Sequence, residues 1–231
     1  MKETVRKFVN RALGLDIRRL RKGRGYDLTR YAYQKEYIDF KIREVDKVLD
    51  LGSGADPFPP ATHLADLYEG ETTHRALPLV KDGRPFTACS AEKTPYADRE
   101  FDFVYCSHVL EHVSSPAAAC EEIMRIGRRG YIETPARMSD VIFNHTRLPD
   151  HHRWQVEARG KTLIFLELCE KDKRDTGVDE LYMMFQSEWK NPVQELVHNN
   201  RDYFVNMFLW DGRFDYIVIS GDGRIIASTL K

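Results

Sequence analysis

A short apolar strand pattern that ends in two glycines constrains the fold of this chain more than any other feature. Residues 48–54 read Val-Leu-Asp-Leu-Gly-Ser-Gly. Glycine lacks a Cβ atom, so Gly52 and Gly54 permit a sharp turn and a close approach of the backbone to a ligand. In open α/β sheets, ligands bind at the carboxyl ends of strands. The pattern predicts a strand followed by a binding loop, although a Gly-x-Gly pair also occurs in ordinary tight turns.

Strand patterns recur along the chain and alternate with helical or proline-rich connections. Three prolines within residues 57–60 exclude a regular helix directly after the first strand. A helix is predicted from Pro116 to Arg125, because proline suits a first turn and Gly127 follows its end. Strands are predicted at residues 47–51, 62–67, 85–89, 101–106 and 130–135. This alternation favours an α/β fold with a mostly parallel sheet.

The last third of the chain carries signals of antiparallel pairing. Two pairs of apolar runs are each separated by a turn that contains glycine, namely 153–157 with 162–166, and 204–210 with 214–219. Such turns between strand patterns are typical of β-hairpins. We therefore predict two hairpins in this region.

Composition places the chain among globular proteins. Its 231 residues, 42% hydrophobic and 31% charged, suffice for one domain with an appendage. No apolar run approaches the roughly 20 residues of a membrane span, and we see no signal-peptide pattern. The four cysteines lack paired metal-site spacing, so we expect free thiols and a cytoplasmic location. The main body is slightly acidic, and we expect no binding of nucleic acid.

The first 40 residues form a separate helical, basic segment in our domain assignment. Residues 1–24 contain nine lysines and arginines against two acids, and apolar residues recur there at helical spacing. We expect a helix that packs its apolar side on the domain. Peripheral contact with an anionic membrane or a partner is the alternative. Residues 41–231 are assigned to the main domain, with an insertion at about 137–200.

Four motifs follow one another in a fixed order. They are the glycine loop at 48–54, Ala-Glu-Lys-Thr-Pro-Tyr at 91–96, Phe-Asp-Phe-Val at 101–104 and Ser-His-Val-Leu-Glu-His-Val at 107–113. The ordered set resembles the class I S-adenosylmethionine-dependent methyltransferases of the type 11 subgroup, over residues 45–135. The resemblance implies S-adenosylmethionine as the cofactor. It also implies a Rossmann-like, seven-stranded, mostly parallel sheet, closed by a C-terminal antiparallel hairpin of 204–210 and 214–219, with the insertion on the substrate side.

The resemblance places the cofactor at the carboxyl ends of the strands. Asp66, at the end of the second strand, suits the ribose diol because each carboxylate oxygen accepts one hydroxyl hydrogen, although an acid capping a strand end is the alternative. Ser90 stands where the family has an acid for adenine, so the Ala91 amide and either the Ser90 hydroxyl or Glu92 are expected to contact the base. The predicted cofactor residues are Asp50, Gly52, Ser53, Gly54, Asp66, Ser90, Ala91, Glu92, Ser107 and His108.

A dense polar cluster in the insertion indicates where catalysis takes place. Methyl transfer is an in-line displacement, so the enzyme aligns a nucleophile, excludes water and supplies a base to a hydroxyl acceptor. The predicted catalytic residues are His145, His151 and His152 as candidate bases, with Asp150 to orient an imidazole. A structural polar loop is the alternative. A divalent-metal site is a further alternative, since some sugar O-methyltransferases use such an ion. Adjacent histidines point differently and no further ligand spacing supports it, so we predict no metal site. Glu111 and His112 are expected to serve the following helix.

The acceptor is suggested by a local resemblance. The run Asp-His-His-Arg-Trp at 150–154 looks like methyltransferases that modify saccharides, and Trp154 would offer a ring face to a sugar. We therefore expect O-methylation of a saccharide or glycan precursor. A small phenolic or quinone-like acceptor is one alternative, and a catalytically silent binding module is another. A nicotinamide dehydrogenase is disfavoured, because Pro57 occupies the position of the third glycine.

Overall fold

The strands of the first two thirds of the chain are separated by helices or by irregular connections, as the sequence patterns predict. The computed structural model describes residues 3–14, 30–72, 74–75, 77–143, 151–169, 172, 179–187 and 191–230. In chain order, the elements are α1 (Glu3–Leu13), α2 (Arg30–Tyr37), β1 (Val48–Leu51), β2 (His63–Asp66), β3 (Phe86–Ala88), β4 (Phe101–Ser107), α3 (Pro116–Ile126), β5 (Gly127–Pro135), α4 (Arg137–Ile142), β6 (Trp154–Arg159), β7 (Thr162–Glu167), α5 (Asp179–Gln186), α6 (Pro192–His198), α7 (Arg201–Phe204), β8 (Val205–Asp211), β9 (Asp215–Ile219) and β10 (Ile225–Ser228).

A mostly parallel sheet forms the centre of the molecule. Its strand order is β3-β2-β1-β4-β5-β8, in which β8 alone runs antiparallel to its neighbour. The carboxyl ends of β1, β2 and β4 therefore meet at one edge. The predicted α3 is confirmed, with the Ser115 side chain accepting a hydrogen bond from the Ala118 amide at its start.

The predicted seven-stranded sheet with a closing C-terminal hairpin is wrong. The central sheet has six strands within the described residues, and β9 does not pair with β8. Instead, β9 runs parallel to β7 and antiparallel to β10, in a second sheet of order β10-β9-β7-β6. The predicted β6–β7 hairpin leaves an edge that β9 occupies, where Tyr216 and Val218 are buried. Tertiary pairing thus overrides the Asp-Gly turn signal at residues 211–212.

The two faces of the central sheet are covered differently. One face packs against α3 and the second sheet, whose buried side chains include Trp154, Leu163 and Phe165. The other face carries a cluster of aromatic rings from the sheet, the proline-rich loop and the segment after α2. Phe58 of that loop stacks on Tyr105 with 4.0 Å between ring centroids. The loop therefore fills the place in which a helix would otherwise cover β1, as its prolines predict.

Helix α1 forms at the predicted position, but its apolar side chains are not packed on the domain. Val5, Phe8 and Leu13 are 50%, 73% and 63% exposed. This finding contradicts the expected burial of the apolar side. No helix within the described residues is both long and apolar enough to cross a bilayer.

Candidate active site

A cavity of about 540 Å³ opens at the carboxyl ends of β1, β2 and β4. Ligands bind at this edge in open α/β sheets. Eight of the ten predicted cofactor residues line it, namely Gly52, Gly54, Asp66, Ser90, Ala91, Glu92, Ser107 and His108. The fold therefore brings together residues that lie up to 56 positions apart in the sequence.

The glycine loop is held against β2 by its own amides. The amides of Gly52 and Ser53 both donate to the carbonyl oxygen of Ala65, at 2.7 and 3.0 Å. The Gly54 amide donates to Oδ2 of Asp66 at 3.0 Å. These donors are therefore committed to the loop, and Asp66 fixes the turn while it lines the cavity.

Asp50 and Ser53, the other two predicted cofactor residues, are not among the residues that line the cavity. Both are buried, at 1% and 0% exposure. Oδ2 of Asp50 accepts the Phe58 amide at 2.7 Å and so ties the proline-rich loop to β1. Burial raises the pKa of Asp50 to about 7, against the opposing effects of that hydrogen bond and of nearby arginines. Asp50 is therefore a structural residue of the loop.

Glu92 is also committed to the backbone. Its Oε1 atom accepts the amides of Ser114 and Ser115, which precede α3. The hydroxyl of Ser90 accepts the Glu92 amide at 3.1 Å. Ser90, Ala91 and Glu92 were predicted to contact adenine. The predicted contact of Ala91 uses its backbone amide and does not require a free side chain.

Arg30 lines the same cavity, although it was not among the predicted cofactor residues. It begins α2, and its guanidinium donates to the carbonyl oxygens of Ser107 and Asp56, both at 3.2 Å. Burial alone would lower the pKa of Arg30, but surrounding acidic and phenolic groups raise it above its ordinary value. A permanent positive charge therefore lies between the glycine loop and the end of β4.

His108 lies between two buried carboxylates at the end of β4. Its φ of +56° is unusual for a residue other than glycine. Its Nδ1 atom is 3.3 Å from Oε1 of Glu111, and its Nε2 atom is 3.2 Å from Oε1 of Glu133. Burial would lower the pKa of His108, but the two carboxylates raise it to about 9. His108 is therefore a cation in the cavity wall at neutral pH.

A cluster of four histidines lies beside His108, and we call it the histidine cluster. It comprises His74, His112, His151 and His152, whose rings approach one another with centroid distances of 4.7–5.8 Å. His74 and His112 line the cavity directly. The predicted residues His151 and His152 thus come together with two residues that the sequence did not single out as catalytic.

His112 and His152 both lie in surroundings that differ from a position on the following helix. Glu111 and His112 were expected to serve the following helix, but they lie in a turn before it, and Glu111 is 1% exposed. His152 Nδ1 is 2.7 Å from Oδ1 of Asp140, so Asp140 of α4 orients this ring. His145 and Asp150 lie outside the described residues.

Trp154 does not offer a ring face to a ligand, contrary to expectation. It is 2% exposed, and its indole nitrogen donates to the carbonyl oxygen of Val113 at 2.7 Å. The exposed aromatic ring at the cavity is Tyr68, whose ring stacks near His74.

Comparison with known proteins supports one domain type. Residues 49–132 match the methyltransferase domain family. A demethylmenaquinone methyltransferase of Paenarthrobacter aurescens (strain TC1) is 32% identical over 117 residues, which cover 48% of this chain and 44% of that protein. The match thus spans less than half of the curated relative.

Solved structures include two similar chains. The YcgJ protein of Bacillus subtilis is 21% identical, with 48% of this chain and 56% of that chain covered and a TM-score of 0.38. A putative methyltransferase in complex with the Trm112 activator of Haloferax volcanii is 14% identical, with 75% and 85% covered and a TM-score of 0.45. These likenesses are too distant to carry an argument about function. Residues 49–132, which include the strand ends at which the cavity opens, thus match a methyltransferase domain.

Proposed function

We propose that this protein transfers a methyl group from S-adenosylmethionine to a hydroxyl group of a saccharide or glycan precursor, with a histidine as general base. The observation that carries the proposal is the histidine cluster at the cofactor-type cavity. A hydroxyl is a poor nucleophile until it loses its proton, so its methylation calls for a base near neutral pKa. Histidine is the side chain that meets this need.

The residues of the cavity fit the proposed cofactor. S-adenosylmethionine has a carboxylate, a ribose diol and an adenine, and it supplies an electrophilic methyl group when bound. Arg30 offers a cation for the carboxylate, Asp66 offers carboxylate oxygens toward the diol, and Ala91 lines the adenine side. A volume of about 540 Å³ lies within the usual range of small-molecule sites.

Among the predicted bases, His151 is the candidate that we assign to the acceptor. Its ring centroid lies 5.1 Å from that of His112 and 5.8 Å from that of His74, both of which line the cavity. The side chain of His152 is 5% exposed and is paired with Asp140, so it stands behind the other rings. Tyr68 and His74 supply ring faces and polar atoms at the mouth, a combination that suits a sugar.

A small phenolic or quinone-like acceptor is the second candidate. The curated relative is named for demethylmenaquinone, and the cavity wall includes apolar side chains such as Leu51, Leu67 and Val109. An aromatic acceptor would pack on that apolar lining, whereas a saccharide would use the polar mouth. The two candidates therefore differ in the surface on which the acceptor rests.

Cofactor binding is the first test. Calorimetry of the purified chain should show binding of S-adenosylmethionine and of S-adenosylhomocysteine with dissociation constants of about micromolar order. Binding of the cofactors without transfer to any acceptor would favour a catalytically silent module. Absence of binding to both compounds would contradict the enzyme proposal as a whole.

Methyl transfer to a panel of acceptors is the second test. The labelled methyl group of the cofactor is followed into nucleotide sugars, oligosaccharides, phenols and quinols. Transfer to saccharides supports the proposal, and transfer confined to the aromatic compounds would replace it with the second candidate.

Replacement of the proposed base is a prediction of its own. His151→Ala should lower kcat by about 100-fold or more, because a positioned base contributes at least this factor, while cofactor affinity stays unchanged. His63→Ala is the matched control, since His63 begins β2 at the opposite end of the strand from the cavity. Equal rates in the His151→Ala variant and the parent would remove the base hypothesis.

A further inference from the structure

We propose that Glu111, His112 and His152 bind one divalent transition-metal ion in the wall of the cavity. Each residue offers one ligand atom, and these atoms lie within 4.8 Å of one another. Two imidazoles and one carboxylate form a set that proteins use for zinc and for non-haem iron, with positions left open for a further ligand. No metal site was predicted from the sequence, because the adjacent His151 and His152 point differently and no further ligand spacing was found.

Glu111 gives the first argument. It is 1% exposed, and within the described residues neither of its carboxylate oxygens has a well-formed hydrogen bond. Its nearest polar neighbours are His108 Nδ1 at 3.3 Å and His112 Nε2 at 3.7 Å. The His108 cation offsets part of the charge of this buried carboxylate, but both oxygens lack a hydrogen bond within the described residues, and a coordinated metal ion would satisfy them directly.

The orientation of His112 and His152 also supports a metal site. His112 Nδ1 lies against the carbonyl oxygen of His151, and His152 Nδ1 is 2.7 Å from Oδ1 of Asp140. Metal-binding histidines use one ring nitrogen for the ion and hold the other with a carbonyl or carboxylate. The structure therefore assigns Nε2 as the ligand atom of both rings, with Asp140 as the positioning residue for His152.

A second set of three histidines shares His112. His74, His112 and His151 also bring one ligand atom each within 4.8 Å of one another. This set lacks a carboxylate to offset the charge of the ion, and it leaves the buried oxygens of Glu111 unsatisfied. We therefore favour the set that contains Glu111, and the experiment below separates the two.

The chemistry of the ligands selects the class of ion. Imidazole nitrogens favour ions such as Zn²⁺, Co²⁺, Ni²⁺ and Fe²⁺, whereas Mg²⁺ and Ca²⁺ favour oxygen ligands. Zinc–nitrogen bonds of about 2.1 Å place tetrahedral ligands about 3.4 Å apart, so the side chains need to close by about 1 Å. His112 lines the cavity, so open coordination positions would face an acceptor hydroxyl, a step that rests on the proposed function.

Metal titration of the full chain tests the site. The protein is stripped with a chelator, and Zn²⁺ and Co²⁺ are then titrated by calorimetry and by the visible absorption of bound Co²⁺. We expect one ion per chain. Glu111→Gln and His152→Gln should each weaken binding by about 100-fold, and Asp140→Asn by about 10-fold, since loss of an outer partner costs 10–100-fold.

His74→Gln is the matched control, because it alters a neighbouring ring that belongs only to the second set. It should leave the affinity and the Co²⁺ spectrum near those of the parent. A loss in His74→Gln that equals the loss in His152→Gln would overturn the assignment, as would an unchanged Glu111→Gln or a parent chain that binds no ion. Circular dichroism of each variant shows that its fold is retained.

The titration contains neither cofactor nor acceptor, so its outcome is independent of the methyl-transfer proposal. A chain that binds the ion but no S-adenosylmethionine would keep the metal site and lose the proposed function. A chain that binds S-adenosylmethionine but no ion would lose the metal site and keep the proposed function.

Discussion

Gly52 is the residue on which the turn after β1 depends most strongly. Its φ is +84°, and a Cβ atom at this position would lie 2.2 Å from Cγ2 of Val109. Gly52→Ala therefore combines a strained backbone with a steric clash in the cavity wall. We expect a loss of about 1–3 kcal/mol in the free energy of unfolding and at least about a tenfold loss of cofactor affinity, measured by urea denaturation and calorimetry.

Gly83→Ala separates the two effects. Gly83 has nearly the same φ, +85°, but nothing lies within 4 Å of a Cβ atom built there. This variant should lose some stability through backbone strain and keep its affinity for the cofactor. Equal affinity losses in both variants would show that the clash with Val109 has no part in binding.

The sequence was informative for residues whose role depends on a local motif. Gly52, Gly54, Asp66 and Ala91 all line the cavity, because each lies at or near a strand end that the pattern located correctly. Asp50 belongs to the same motif, but every residue of β1 is buried. In a strand that is buried on both faces, the sequence pattern does not show which side chains reach a ligand. Arg30, His74 and Asp140 were not found, since no local motif marks them and their contacts with Ser107, His112 and His152 arise only in the folded chain.

Helix α2 brings Arg30 to the cavity wall, and Glu133 of β5 contacts this helix. The Tyr33 hydroxyl donates to Oε1 of Glu133, and the side-chain Nε2 of Gln34 donates to Oε2 at 2.9 Å. Tyr131 also donates to Glu133, which is fully buried. The Ser107 hydroxyl and His108 Nε2 also lie 3.4 and 3.2 Å from Oε1 of this carboxylate. Five side chains therefore contact Glu133, and two of them belong to the helix that begins with Arg30.

Removal of one donor tests how this helix is held. Tyr33→Phe should lower the free energy of unfolding by about 1–2 kcal/mol, because a buried carboxylate loses a hydrogen bond. Cofactor affinity should fall several-fold as Arg30 becomes less well placed. Tyr31→Phe is the matched control, since the Tyr31 ring packs on Phe40 and Phe58 and no hydrogen bond of its hydroxyl occurs within the described chain. Similar effects of both substitutions would argue against the Glu133 contact.

At the level of elements, position and type were predicted better than pairing. The strands of the central sheet, α3 and the β6–β7 hairpin all form where the patterns place them. The partner of β9 was missed, because an Asp-Gly turn specifies a local reversal and not which edge is available. The edge of β7 comes from the insertion, whose own position a single sequence does not reveal.

The whole molecule builds one cavity from distant parts of the chain. Arg30 comes from α2, the glycine loop follows β1, and the histidine cluster comes from the β2–β3 connection, the β4–α3 turn and the insertion. Stability and binding are therefore coupled. A substitution that loosens any one of these segments should lower both the affinity for the ligand and the stability of the fold.

We expect the free energy of unfolding to depend on pH through Asp50. Burial raises the pKa of its carboxyl from 3.8 to about 7, while Arg30 and Arg84 favour the charged form and Asp66 opposes it. The folded state therefore binds an extra proton between these values, so the stabilising contribution is present below about pH 4 and is lost as the pH rises through about 7. Asp50→Asn keeps an oxygen for the Phe58 amide and never ionises. We expect the unfolding free energy of the parent, relative to this variant, to fall by up to about 1.4 kcal/mol per pH unit below pH 7. Urea denaturation at pH 5, 6, 7 and 8 measures the difference, and two parallel pH profiles would exclude Asp50 as the cause.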